Sequence, residues 1–247
     1  TDKQTLTTQE MSVIMINDNN KTASELLKLI DIMTTLRSPE GCPWDQKQTI
    51  SSLKPYLLEE TYELLDALDR NHPRDICDEL GDLLLQIFFL AEIHREKNLF
   101  DIGSVAKSIN SKMIRRHPHV FANEDPTNHK QRWEQIKEEE RSHSGKTNKL
   151  KDQIPKNLPA LKKASKITKK LPAISPIAII DRLTDEIQTL KEQIVQDKPN
   201  ENTFDIPLGN MLYSLVNLCT NLHSDAEEIL RIKTKQVIAA IDDQNEV

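Results

Sequence analysis

Two pairs of acids stand at helical spacing in this chain: Glu60 with Glu63, and Glu79 with Asp82. Residues three apart on a helix are neighbours on one face, so each pair projects its charges side by side. Four converging carboxylates repel one another unless a cation sits between them. The segments that carry them, Leu57-Leu-Glu-Glu-Thr-Tyr-Glu63 and Asp78-Glu-Leu-Gly-Asp-Leu-Leu84, are otherwise apolar on the relevant side. The expectation is a metal site inside a helical bundle. Hard oxygen ligands in a small cluster suit Mg²⁺, with Mn²⁺ as a substitute, over zinc. Such ions act on phosphate groups, where they bridge oxygens, neutralise developing charge and lower the pKa of a bound water.

These acids need helices to hold them, and the punctuation of the chain supplies candidates. A first helix is predicted to start near Thr22, with Ser24 as a second cap, and to run through Met33. Ser38-Pro-Glu-Gly-Cys-Pro-Trp-Asp45 breaks it. A second helix covers 51–70. On a wheel of about 100° per residue, Leu53, Leu57, Glu60, Leu64 and Ala67 share one stripe, with Glu63 at its edge. Glu60 therefore points where a core residue should. A solvated face of ion pairs is disfavoured, because no Lys or Arg stands at 57, 64, 83 or 86 and burying unpaired charge is costly. The turn at Asn71-His-Pro-Arg leads to a third helix over 74–96, apolar nearly all round and bordered by Glu79 and Asp82. A fourth, over 101–116, ends in Lys112-Met-Ile-Arg-Arg116, and His117-Pro118 stops it. Lys112 and Arg116 share a face and read equally as phosphate contacts or as partners of the helix dipole.

Other chemistry-bearing residues carry weaker signals. Trp44, beside a proline, reads first as a packing plug and second as a surface for a nucleobase. His117 and His119 flank a proline with no third ligand nearby, which favours capping over metal binding. No Gly-x-x-x-x-Gly-Lys-Ser/Thr loop is present, so phosphate would be held by metal and side chains. A di-iron bundle needs Glu-x-x-His, and Glu92-Ile-His94 has the wrong spacing.

Composition fits an all-α protein: 5 Gly, 4% aromatics and 29% charged residues in long Leu/Ile/Lys/Glu stretches, without hairpin signals. A net charge of −6 argues against stable nucleic-acid binding. Cys42, Cys77 and Cys219 are odd in number and lack CxxC spacing, which suits a reducing cytosol, with Cys42 and Cys77 as buried small hydrophobes. No apolar run reaches the ~18 residues of a membrane span, and the polar first twenty residues lack a signal-peptide layout. A cytoplasmic protein with no membrane partner is expected.

An internal repeat follows. Thr184-Asp-Glu-Ile-Gln-Thr-Leu190 overlays the second helix, and Ile206–Asn217 overlays the third, with Leu80-Gly-x-x-Leu84 recurring at 208–212. In this register Glu63 becomes Thr189, Glu79 becomes Pro207, Asp82 becomes Asn210, and only Glu186 remains, matching Glu60. Arg115-Arg116 becomes Ala239-Ala240. Between the copies, residues 146–170 are rich in lysine with the single acid Asp152, most simply a solvated linker and helix surface.

The first copy resembles the MazG-type nucleoside triphosphate pyrophosphohydrolases. Glu59-Glu60-x-x-Glu63 followed by Glu79-x-x-Asp82 matches the family signature, and so do Gly41-Cys-Pro-Trp-Asp45, Arg115-Arg-His-Pro-His-Val-Phe121 and Arg132-Trp-Glu-Gln-Ile-Lys137. The resemblance covers residues 22–170 well and 171–247 as a worn copy. It implies tandem four-helix-bundle-like repeats that oligomerise by bundle pairing, as a homodimer or larger. The organisation expected is a polar tail over 1–21, an intact repeat over 22–125, a connecting helix and basic linker over 126–156, and a degenerate repeat over 157–247. The resemblance also implies that Glu60, Glu63, Glu79 and Asp82 ligate Mg²⁺, that Lys112 and Arg116 contact the triphosphate, and that the α–β anhydride is cleaved to monophosphate and pyrophosphate. Glu59 or Glu63 would orient or deprotonate the attacking water. A non-catalytic nucleotide-binding regulator of the same fold is the alternative.

Overall fold

The structure, a computed structural model of the chain, describes residues 8–122, 125, 127, 129–143, 149–196 and 204–245. It is all-α, with no strand among the described residues, and none of its described helices is long and apolar enough to cross a membrane. The chain divides into two compact units, Thr1–Lys137 and Glu138–Val247.

In the first unit, α1 (Thr8–Arg37), α3 (Leu53–Arg70), α4 (Pro73–Glu96) and α5 (Ile102–Arg116) are the long helices. The helix α1 begins fourteen residues earlier than the cap signal at Thr22 suggests. Thr22 caps nothing: its hydroxyl donates to the Asp18 carbonyl one turn back, at 2.9 Å, a bond available to threonine inside a helix. Of the polar tail expected over 1–21, residues 8–21 are therefore helical, and 1–7 lie outside the described residues. The predicted break holds α2 (Pro43–Lys47), one turn started by proline at its first position.

A two-residue link folds α4 back along α3. Asn71 takes the left-handed conformation that ends a helix (φ 52°), and its N–H donates to the carbonyls of Ala67 and Leu68. Pro73 then opens α4, where its missing N–H costs nothing. The core beside this hairpin is Met33 of α1, Leu53 of α3 and Phe88, Phe89 and Ile93 of α4, all buried. Of the two cysteines expected inside, Cys42 is half-buried and Cys77 is exposed in the first turns of α4.

Arg37 locks this arrangement. Its guanidinium meets Glu96 through two hydrogen bonds of 2.5 and 2.8 Å, donates to the Asp45 carbonyl at 2.5 Å and lies over the Phe89 ring at 5.3 Å. With its side chain only 7% exposed, it ties the end of α1 to α2 and to the end of α4. Gly41 lets the chain turn between these elements, since a Cβ there would collide with the Leu36 and Thr35 carbonyl oxygens. The helix α5 starts at the Asp101 cap, which accepts from the Ser104 N–H at 2.7 Å, and buries none of its residues. Beyond it come α6 (Pro118–Phe121) and α7 (His129–His143).

The second unit contains α8 (Leu150–Gln153), α9 (Ala160–Thr168), α10 (Pro176–Gln196), α11 (Asp205–Asn221) and α12 (Ala226–Asn245). Ile179, Leu183, Val216 and Ala226 are its buried apolar residues, together with the polar Ser165, Thr168, Ser214 and Asn217. Thr168 and Thr220 share a 3.0 Å hydrogen bond, and Lys162 pairs with Asp225 at the start of α12.

Two substitutions test the Arg37 lock. Arg37→Met keeps the packed stem but removes both hydrogen bonds to Glu96 and one of the two donors to the Asp45 carbonyl, and costs about 2 kcal/mol. Gly41→Ala forces backbone to shift and costs at least about 1 kcal/mol. Both are read by urea unfolding, with the m-value unchanged.

Candidate metal centre

Antiparallel packing of α3 on α4 brings Glu60 opposite Asp82 and Glu79. One carboxylate oxygen from each of these three lies within 4.8 Å of the other two, and among the described residues this is the only such group. Glu60 and Glu79 are half-buried and Asp82 is exposed, so the group opens to solvent on one side. Glu63, one turn further along α3, is exposed and falls outside the trio, as does the exposed Glu59.

The trio is electrostatically unfavourable as it stands. Burial pushes the Glu60 carboxyl above its ordinary range, and the charges of Asp82, Glu63 and Glu59 push it further the same way. Glu79 is raised by burial and then by Glu63 and Asp82, with the Arg70 guanidinium opposing. The Glu79 Oε2 atom is fully enclosed and has no hydrogen-bond partner. A buried acceptor without a donor costs free energy comparable to a lost hydrogen bond. An all-oxygen donor set, mutual repulsion and an orphaned carboxylate oxygen together fit a hard divalent cation.

The remaining predicted residues sit on other elements. Lys112 and Arg116 are half-buried on α5. Arg116 is held by α7, its guanidinium lying over the Trp133 ring at 5.3 Å, while the His117 ring meets Trp133 edge-on at 4.9 Å. Trp133 stood in a motif of the sequence, but its contact with Arg116 joins residues seventeen apart across a turn and has no periodic signal. Trp44 is not the plug expected: it is 53% exposed on α2, its ring edge-on to Tyr56 at 6.0 Å. Tyr56 precedes Glu60 by one helical turn, so the aromatic pair borders the carboxylates along α3.

Residues 48–121 match the MazG nucleotide pyrophosphohydrolase domain. Over 219 residues the chain is 39% identical to the nucleoside triphosphate pyrophosphohydrolase of Escherichia coli (strain K12), covering 84% of this chain and 82% of that protein. It is 40% identical to the nucleoside triphosphate pyrophosphohydrolase/pyrophosphatase MazG of Thermotoga maritima, over 85% of this chain and 82% of the relative. The uncharacterised protein YabN of Bacillus subtilis is 39% identical over 81% of this chain and 42% of its own length. The chain belongs to the MazG family. The MazG domain match takes in α3, α4 and α5, and with them the trio, Glu63, Lys112 and Arg116. Thus the part of the chain that carries the MazG match is also the part where the carboxylates converge.

The raised carboxyls set a pH dependence for the metal-free protein. Between the unfolded value near 4.5 and the higher folded value, the folded state binds more protons than the unfolded chain. Stability contributed by Glu60 and Glu79 is therefore present at low pH and lost as pH rises through that interval. Glu79→Gln or Glu60→Gln removes the repulsion and raises the metal-free melting temperature at pH 8 by about 2 °C. At pH 4 the difference from the unsubstituted chain vanishes. Melting curves in chelator at the two pH values measure it.

Proposed function

We propose that this chain hydrolyses nucleoside triphosphates to nucleoside monophosphate and pyrophosphate at the α3–α4 carboxylates of its first unit. The observation that carries the reading is the converging trio with its orphaned Glu79 oxygen, which suits a divalent cation and, through it, a polyphosphate. The names of the E. coli and T. maritima relatives point to the same substrate class.

Glu60, Glu79 and Asp82 would hold Mg²⁺, or Mn²⁺ in its place, with Glu63 at the rim. When bound, such an ion screens the phosphate charge and makes a neighbouring water more acidic. Glu63, exposed and electrostatically coupled to both Glu60 and Glu79, would accept the proton of the attacking water. Glu59 contributes negative charge that favours cation binding. Water adds across the α–β anhydride: one phosphoryl group gains the hydroxyl, and the bridging oxygen leaves with the other. Lys112 and Arg116 balance charge on the leaving pyrophosphate. Trp133 keeps the Arg116 guanidinium from wandering. The exposed Trp44, backed by Tyr56, offers a face on which a nucleobase can stack, a contact every base can make. The protein would act in the cytoplasm as a homodimer or larger assembly, a reading supported by α5, whose Val105, Ile109 and Ile114 are exposed.

Incubation with Mg²⁺ and a panel of nucleoside triphosphates, with the products resolved, tests this reading. Monophosphate and pyrophosphate are expected, with turnover falling by about 10²-fold or more in Glu60→Gln and Asp82→Asn. Release of orthophosphate and diphosphate would overturn the assigned bond. Nucleotide binding without turnover would favour the regulatory alternative.

A further inference from the structure

The first unit contains a second orphaned acceptor. Gln86 of α4 is only 7% exposed, and its side-chain oxygen Oε1 is fully enclosed without a hydrogen-bond donor. It follows Asp82 by four residues and Glu79 by seven, which places all three on one stripe of α4. The axial step from Asp82 is about 6 Å, and helical side chains lean toward the N-terminus of their helix. The Gln86 side chain thus sets out from α4 on the stripe that carries the carboxylates and tilts toward the Asp82 end of it.

The second unit shows what can occupy such a position. Its α10–α11 pair repeats the α3–α4 burial pattern in the register of the sequence repeat. Leu53 and Ile179 are both buried, as are Phe88 and Val216, and Gln86 corresponds to the buried Ser214. Glu60 corresponds to Glu186, and Tyr56 to Arg182. In α10–α11 the Arg182 guanidinium stands 3.6 Å from a Glu186 carboxylate oxygen, and its Nη2 donates to the Ser214 hydroxyl at 3.4 Å. One cationic group bearing outward donors therefore reaches the equivalents of both Glu60 and Gln86. The first unit has no arginine there. Tyr56 holds that position, turned to Trp44, and both Glu79 Oε2 and Gln86 Oε1 lack a donor.

We infer that Gln86 is an outer-sphere positioning residue for the cation: its Oε1 accepts a hydrogen bond from the hydration shell of the ion held by Glu60, Glu79 and Asp82. This rests on the metal reading of the trio. Mg²⁺ and Mn²⁺ keep several waters when bound by carboxylates, and each water presents O–H donors. An amide oxygen beyond the first ligands fixes one such water, and with it the orientation of the shell. In the second unit the Arg182 guanidinium stands between Glu186 and Ser214, bonded to the Ser214 hydroxyl and paired with one Glu186 oxygen, while the other Glu186 oxygen, Oε2, is enclosed without a hydrogen-bond partner.

The test is Mn²⁺ titration of the full chain, followed by the electron paramagnetic resonance signal of free Mn²⁺, alongside melting curves in chelator. Gln86→Leu is expected to weaken Mn²⁺ binding by about tenfold or more, while the metal-free melting temperature stays level or rises because a buried unpaired acceptor is gone. Gln86→Glu keeps an acceptor at the same place and is expected to bind Mn²⁺ at least as tightly as the unsubstituted chain. Unchanged affinity in Gln86→Leu, or equal weakening in both variants, overturns the inference. Asp82→Asn is the control for the reading beneath it. Loss of Mn²⁺ binding there, with Gln86→Leu unaffected, sinks the role of Gln86 alone. Retained binding in Asp82→Asn sinks the metal site as well.

Discussion

Like-charge repulsion in the seam between α3 and α4 is the constraint around which the first unit is built. Glu60, Glu79 and Asp82 are drawn together by the packing of two helices that their own charges push apart. The packing therefore has to be secured elsewhere. At one end, the left-handed Asn71 and the proline after it fix the link between the helices. Further along, Leu53 of α3 and Phe88 and Phe89 of α4 pack with Met33 of α1. Below that, Arg37 ties Glu96 to the α2 loop. Apolar burial and one buried guanidinium hold the helices close enough for the acids to meet, and a cation bound among them would convert the residual repulsion into attraction.

The second unit is an internal control on this argument. It keeps the paired helices and some of the buried positions of the first, those of Leu53, Gln86, Phe88 and Phe89, yet Pro207 and Asn210 stand where Glu79 and Asp82 do, and Thr189 stands for Glu63. The single remaining acid, Glu186, is met by an arginine from one turn earlier on its own helix. Three of the four charges are gone and a guanidinium pairs with the fourth, which relieves the mutual repulsion and leaves one enclosed Glu186 oxygen, Oε2, without a hydrogen-bond partner. The same scaffold thus accepts either solution, which indicates that the carboxylates are not required for the helices to pair.

Much of this was readable in the residues because the decisive signals were local or periodic. Proline and asparagine at 71–73 delimit α3 and α4, and the apolar stripe through Leu53, Leu57 and Leu64 carries Glu60 inward. What was not readable depends on the partners of a side chain. Thr22 has the chemistry of a cap and also the option of bonding back to Asp18, and only the course of the preceding residues decides between them. Cys77 is a residue type usually buried, but on α4 it faces outward. Spacing groups Glu63 with Glu60 and Asp82 with Glu79, but only the packing of α3 on α4 brings Glu60 within reach of the other two. Gln86 gives no sign in the sequence, because glutamine in an apolar helix carries no charge pattern. It is the orphaned oxygen that marks it.

The cations face a different problem from the acids. A long side chain near the end of a helix samples many rotamers, and fixing it to meet a phosphate, the role proposed for Arg116, would cost entropy at the moment of binding. Stacking of Arg116 on Trp133 moves part of that cost into folding, because the planar guanidinium already lies against a rigid ring. Trp133 is itself braced by His117, whose Nδ1 is hydrogen-bonded to the Met113 carbonyl one turn back in α5. Lysine could supply the same charge at 116 but not the same stacking geometry. The identity of that residue therefore matters for preorganisation as well as for sign, and the helix that carries Trp133 becomes part of what orients the cation.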